Sequence, residues 1–187
     1  MRQTEYVILG LLNEAPLTGY QIKKYIDIRF RYFWSESYGQ IYPTLKSLVG
    51  RGLIAEGTTE IKKNRAQTTY RIKPAGLTAL KQWLELPVER ETIRLEILLK
   101  MFFSHLVTPE VMIKHVKEFQ EAHEKDLAMI KIAEKEVRSI IERDPNHPYI
   151  LRVIDFGEKV NGAYLDWCRD TIKFLESMKK GESDNAS

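Results

Sequence analysis

Apolar residues recur at helical spacing through most of the chain, and the pattern changes to alternation once, between residues 58 and 73. Residues 5 to 13 (EYVILGLLN) are apolar almost all round, which predicts a short helix covered on most sides. Thr4 is its expected N-cap, Glu5 sits near the positive end of its dipole, and Pro16 closes it. Thr18 caps a second helix, GYQIKKYIDIRFR, with Tyr20, Ile22, Tyr25, Ile26 and Phe30 on or near one face. A basic and aromatic connector ending in Phe33 and Trp34 leads into SYGQIYPTLKSLVGRGLIAEG, residues 37 to 57. There Ile41, Leu45 and Leu48 point inward, Gln40, Thr44 and Ser47 point out, and Tyr42 and Lys46 flank them. Proline is tolerated only near a helix start, so Pro43 puts the beginning of this third helix near Ser37 to Gly39, where free backbone N–H groups suit a phosphate.

The helix stops around Gly50 and Gly52 and passes into a strand at Leu53. TTEI and QTTYRIK then read as two strands around the polar cluster Lys62, Lys63, Asn64 and Arg65, a hairpin with a basic tip. Pro74 opens a fourth helix carrying Leu77, Leu80, Trp83 and Leu84, and Pro87 ends it.

Beyond lies helical pattern alone: Thr92 to Ser104, then a helix from Thr108 to Arg143 about 50 Å long at about 1.5 Å per residue. Its apolar stripe runs through positions 112, 116, 119, 123, 126, 130, 133, 137 and 140, interrupted at His123 and Asp126. A final helix follows the turn Asp144 to Pro148, with a seam at 150, 153, 157, 160, 164, 167, 171, 174 and 178. Two antiparallel helices with such long seams expose more apolar surface than one small domain covers, which predicts pairing with a second copy.

The expected fold is therefore mainly α with a small β-hairpin. A winged helix-turn-helix domain spans residues 1–86, an α-helical dimerisation domain 87–180, and a disordered tail 181–187.

Charge sharpens this division. The net charge of +3 is mild, but residues 1–86 hold 13 Lys and Arg against 7 Asp and Glu, so the basic half is the one suited to a polyanion. Only one cysteine, Cys168, is present, which excludes an intrachain disulfide and any multi-cysteine metal site. The apolar run Val7 to Leu12 is too short for a signal peptide, and no stretch approaches a membrane span, so the expected location is cytoplasmic.

ILGLL with LTGYQI in the first two helices, SYGQIYPTLKSLVGRGLI in the third, and Tyr70-x-Ile72-x-x-x-Gly76 followed by Leu80 and Trp83-Leu84 together resemble the PadR family of bacterial transcriptional regulators. The match covers residues 1–86. The helical half is similar in pattern to the C-terminal dimerisation domain of the longer members. Lys73-Pro74 departs from the capping threonine usual in that family. The resemblance implies a homodimeric, usually repressing protein on double-stranded DNA with a palindromic operator, released by a small aromatic effector, with no catalytic residue, metal or cofactor.

On a winged helix, Gln40 and Thr44 are placed for base edges, Tyr38 shares the exposed helix entry, and Tyr42 and Lys46 are placed for phosphates. Lys62, Lys63, Asn64 and Arg65 form the wing tip, with arginine the residue expected in a minor groove. Trp34, Tyr164 and Trp167 are the aromatic candidates for an effector cavity, although aromatics at helical spacing are usually core. His115, Glu118 and Glu121 fall within two helical turns and sketch a metal site, for which a polar helix face is the simpler account. His123 and Asp126 are either a buried pair fixing register or a place where the seam meets water, the second being preferred. Cys168 is a helix residue, and a redox sensor only secondarily. The competing functional reading is a winged-helix protein-interaction adaptor without sequence-specific DNA binding, in which charge reversal at Lys46 and Arg65 leaves activity intact. An enzyme acting on an aromatic compound finds no residues to supply turnover.

Overall fold

The computed structural model describes the backbone of residues 1–62, 65–90 and 93–185, and side chains throughout these except 60–62, 65–66 and 180–185. The chain forms two compact units, Met1–Arg90 and Glu91–Ser187.

The first unit begins with α1 (Gln3–Glu14), whose cap is Arg2 and not Thr4. Glu5 carries out the capping: its Oε2 accepts the Arg2 backbone N–H at 3.1 Å, and its Oε1 accepts from Arg51 Nη2 at 2.7 Å, tying both chain segments together. After β1 (Leu17–Thr18) comes α2 (Gly19–Tyr25), closed at its start by a reciprocal box between Thr18 and Gln21. The expected regular helix to Arg31 gives way to a wider π-helical turn at Ile26–Phe30. Ile22 and Ile26 are buried as the periodicity requires, but Tyr20, in the first turn, is exposed.

The third helix, α3 (Tyr38–Gly50), starts where Pro43 demanded and buries Ile41, Leu45 and Leu48 completely. Each of these contributes about 1.5–3 kcal/mol on leaving water, against Ile8, Leu9, Leu11, Ile22 and Ile26. Strands β2 (Ile54–Lys62) and β3 (Arg65–Ile72) are the expected hairpin, but the sheet has three strands in the order β1-β3-β2, all antiparallel. Between Glu56 and Thr59 the β2 register shifts by one residue, so Gly57 and Thr58 together face Thr69.

α4 (Pro74–Leu84) returns to α1, where Trp83 stacks on Tyr6 with centroids 4.5 Å apart and rings 9° from parallel. Lys73 makes no side-chain cap, but its N–H donates to Leu53 O at 3.0 Å. Gly76 lies so close to that same carbonyl that a Cβ there would sit 2.2 Å from the oxygen.

The second unit contains α5 (Glu96–Phe102), α6 (Pro109–Ser139) and α7 (His147–Asn185). α5 starts later than Thr92, and α7 extends to Asn185. α6 and α7 run antiparallel: Glu110 of the first turn of α6 meets Lys179 late in α7 at 3.0 Å, and His147 at the other end hydrogen-bonds Ile140 O at 2.7 Å. The pull of Lys179 holds the exposed Glu110 carboxyl below its ordinary range.

The α6 stripe packs as read, with Met112, Val116 and Ile130 buried and the other positions half-buried. For α7 the predicted seam is displaced. The residues that bury are Asn161, Leu165, Cys168 and Leu175, while Val153, Phe174 and Met178 of the expected seam stay exposed. The reason is a polar contact: His123 Nδ1 lies 2.8 Å from Asn161 Oδ1, and Asn161 Nδ2 donates to Gly157 O. His123 is thus half-buried and paired with Asn161 of α7, while Asp126 is also half-buried.

Cys168 has no exposed surface, and burial, followed by the negative charge of Glu124, pushes its thiol up. It is expected to resist a thiol reagent at neutral pH in the folded protein and to react at once in denaturant. A stoichiometric titration with a chromogenic disulfide in both conditions checks this.

Among the described residues no helix is long and apolar enough to cross a membrane, and no three His, Cys, Asp or Glu group to hold a metal. His115 and Glu118 approach only to 3.8 Å on a helix surface.

Candidate nucleic-acid interface

Tyr38, Tyr42 and Lys46 follow one another at four-residue steps on α3, and all three are exposed. The two tyrosine rings stack, 6.2 Å apart at 23°, and Lys23 Nζ of α2 stands 5.9 Å from the centre of the Tyr38 ring while it pairs with Asp27. Between this stripe and the one formed by Gln40 and Ser47, the outermost positions are Gly39, Pro43 and Gly50. A ridge this low lets the helix backbone approach a groove floor closely. Lys46 has no hydrogen bond or ion pair among the described residues, so its charge is available to an external anion.

Gln40 and Thr44 are less free than the sequence reading assumed. Gln40 Oε1 accepts the Ser37 backbone N–H at 2.8 Å, completing a capping box, and Thr44 Oγ1 donates to Gln40 O at 2.7 Å. What remains outward is the Gln40 amide NH2 as a donor and the Thr44 oxygen as an acceptor. The same box means the α3 entry is a capped helix start and not an irregular segment. The spacing Ser37-x-x-Gln40 carried that signal.

The wing comes from β2 and β3. Lys62 and Arg65 occupy paired backbone positions at its end, while Lys63 and Asn64 lie outside the described residues. At the root of the wing, Tyr70 of β3 pairs with Leu17 of β1. Its hydroxyl is pushed above the ordinary phenol range, first by burial, then by Glu56, and also by the nearby Tyr42 hydroxyl. The Tyr42 ring lies close to Gly19 at the start of α2. Sequence reasoning missed Lys23, Gly19 and Tyr70 as neighbours of the recognition face, because none is adjacent to it along the chain.

The three aromatic candidates for an effector do not share one element. Trp34 lies in the first unit, half-buried, and its Nε1 donates to Glu36 Oε1 at 3.0 Å. Thr4 Oγ1 donates to that same oxygen, and Glu36 Oε2 is buried with no hydrogen-bond partner among the described residues. Tyr164 and Trp167 lie in the second unit against Phe119, 5.7 and 6.2 Å from its ring, with His123 4.6 Å from Tyr164.

The profile of the Transcriptional regulator PadR-like family matches residues 8–82, and that of Virulence activator alpha C-term matches 93–176. Residues 8–82 thus resemble the PadR-like transcriptional regulators, and residues 93–176 the C-terminal region of the virulence activators. The chain is 28% identical to the negative transcriptional regulator PadR of Bacillus subtilis over 94% of this chain and 99% of that one. The structure of that regulator with operator DNA superposes with a TM-score of 0.79 at 25% identity, covering 94% and 98% of the two chains. The PadR-like regulator BC1756 of Bacillus cereus gives 0.78 at 26% identity, covering 94% and 99%. A B. subtilis PadR structure with p-coumaric acid shares the fold, with a TM-score of 0.69 at 22% identity over 94% and 98%. The relatives are transcriptional regulators, and one of them is seen on operator DNA.

Proposed function

We propose that this PadR-like protein is a homodimeric repressor that binds a palindromic operator through α3 and the wing, and leaves it when a small aromatic effector binds. The observation that carries the reading is the exposed Tyr38, Tyr42 and Lys46 stripe on the third helix of a winged domain, with Lys46 unpaired among the described residues. Tyr42 and Lys46 serve phosphates, while the Gln40 amide offers a donor and Thr44 an acceptor to base edges. Lys62, Lys63, Asn64 and Arg65 approach the flanking groove.

The second unit is the dimerisation and effector domain in this reading. Leu98, Leu99, Phe102, Phe103 and Leu106 are exposed around α5, and Val153, Phe156, Phe174 and Met178 along α7, more apolar surface than an isolated monomer carries comfortably. Tyr164 and Trp167 are the effector-side aromatics of that unit, with Trp34 the candidate in the other. The relative from B. subtilis supports repression by its description and an aromatic effector by its complex with p-coumaric acid.

Selection of bound sequences from a random DNA pool tests the proposal. A palindromic consensus with half-sites about 34 Å apart is expected. Binding through about 6 to 10 phosphate contacts is expected to weaken by about 10³ to 10⁵ between 50 and 200 mM salt. No consensus, or a flat salt response, refutes it.

A further inference from the structure

We propose that Gly19 is a positioning residue for DNA recognition: its missing side chain is the space in which the Tyr42 ring is held at the working face of α3. The inference rests on the reading of Tyr42 as a DNA contact and adds to it the element that aims it.

A Cβ at position 19 would lie 2.8 Å from Tyr42 Cε1, 3.0 Å from Cζ and 3.3 Å from Leu45 Cδ1. The backbone of Gly19 is ordinary helical N-terminus, immediately after the Thr18 cap, so glycine is not needed there for conformation. The close approach is what requires it. Alanine is also the better helix former, so on backbone grounds the substitution favours α2.

The location couples three elements. Thr18, next to Gly19, pairs with Thr69 of β3, and Leu17 pairs with Tyr70. Tyr70 in turn senses the Tyr42 hydroxyl across the gap. The Tyr42 ring therefore stands against the α2 backbone, at the point where the chain before α2 is pinned to β3. Its other neighbour, Tyr38, stacks on it from the helix entry. A methyl group at Gly19 displaces the ring through a hydroxyl swing, because Cε1 and Cζ are the atoms struck, while Ile41, Leu45 and Leu48 keep the helix seated.

The test is a double-mutant cycle on the full chain, using Gly19→Ala, Tyr42→Ala and the combination, with operator DNA obtained by the selection above. Affinity is read by fluorescence anisotropy and folding by thermal melting. Tyr42→Ala is expected to lower affinity roughly tenfold to a hundredfold, the range for losing a hydrogen bond to a charged group. Gly19→Ala is expected to cost tenfold or more while remaining folded, and to cost nothing further once Tyr42 is alanine. If Gly19→Ala fails to fold, the double variant is expected to fold and to bind like Tyr42→Ala.

Losses that multiply in the double variant, no loss from Gly19→Ala alone, or a double variant that also fails to fold each overturn the positioning role. An unchanged affinity for Tyr42→Ala instead overturns the DNA-contact reading beneath it.

Discussion

Lys46→Glu is expected to abolish selective DNA binding while leaving fold and association state unchanged. The side chain is exposed on α3 and has no partner among the described residues, so the folded protein loses no interaction with it. At the proposed DNA interface the change would remove a charge-assisted contact and set a carboxylate against a phosphate. A contact of this kind is worth about 1.5–3 kcal/mol, and juxtaposed like charges add to the loss, so across two copies the affinity is expected to fall by about a hundredfold or more. Anisotropy titration against the selected operator measures the loss, and the slope of log affinity against log salt is expected to shrink by about one per copy. Sedimentation of the variant and the parent is expected to coincide. Retained binding removes Lys46 from the interface.

The second large effect is on stability. Gly76→Ala is expected to lower the melting temperature of the first unit by roughly 10–20 °C. The added methyl would stand 2.2 Å from a backbone oxygen, Leu53 O, which cannot rotate away because it already accepts the Lys73 N–H. Either α4 lifts, exposing Leu80 and breaking the Tyr6–Trp83 stack, or the turn after α3 shifts. Overpacking of this kind costs about 1–3 kcal/mol or more, and one kcal/mol moves a domain of this size by about 4–8 °C. Gly10→Ala is the control, since nothing lies within 4 Å of a Cβ there. It is expected to hold or raise the melting temperature. Equal melting of the two variants would show that the contact at Gly76 relaxes at little cost.

Much of the architecture was legible because periodicity has one solution where only one face is apolar. Ile41, Leu45 and Leu48 could face only inward, and the Met112 to Ile140 stripe of α6 likewise packs as written. On α7 the face that packs within the chain lies beside the seam, for a physical reason. It is apolar on more than one face, and the face that packs against α6 includes Asn161 and Cys168, which hydrophobicity alone ranks below Phe174 or Met178. The deciding contact, His123 with Asn161, is between residues 38 apart and polar, so no local pattern announced it. β1 escaped notice because two residues make no alternation, and it exists only through its pairing with β3.

At the recognition face the residue types were legible and their engagements were not. Tyr38, Tyr42 and Lys46 are exposed as the helical wheel required, whereas Gln40 and Thr44 spend part of their hydrogen-bonding capacity on their own helix. The neighbour that backs Tyr42, Gly19, comes from α2, and only the folded chain brings them together.

The extra residue in β2 between Glu56 and Thr59 gives the wing two independent phases. Below it, Ile54 pairs with Ile72 at the root. Above it, Thr59 meets Thr68, their hydroxyls 3.1 Å apart. Removing one residue at 57 or 58 restores one-to-one pairing and leaves Thr59 opposite Thr68, whereas removing one residue above the step turns the β2 positions beyond it to the other side. The step is therefore a joint: it bends and twists the distal ribbon while the root stays locked to the core through Ile54 and Ile72.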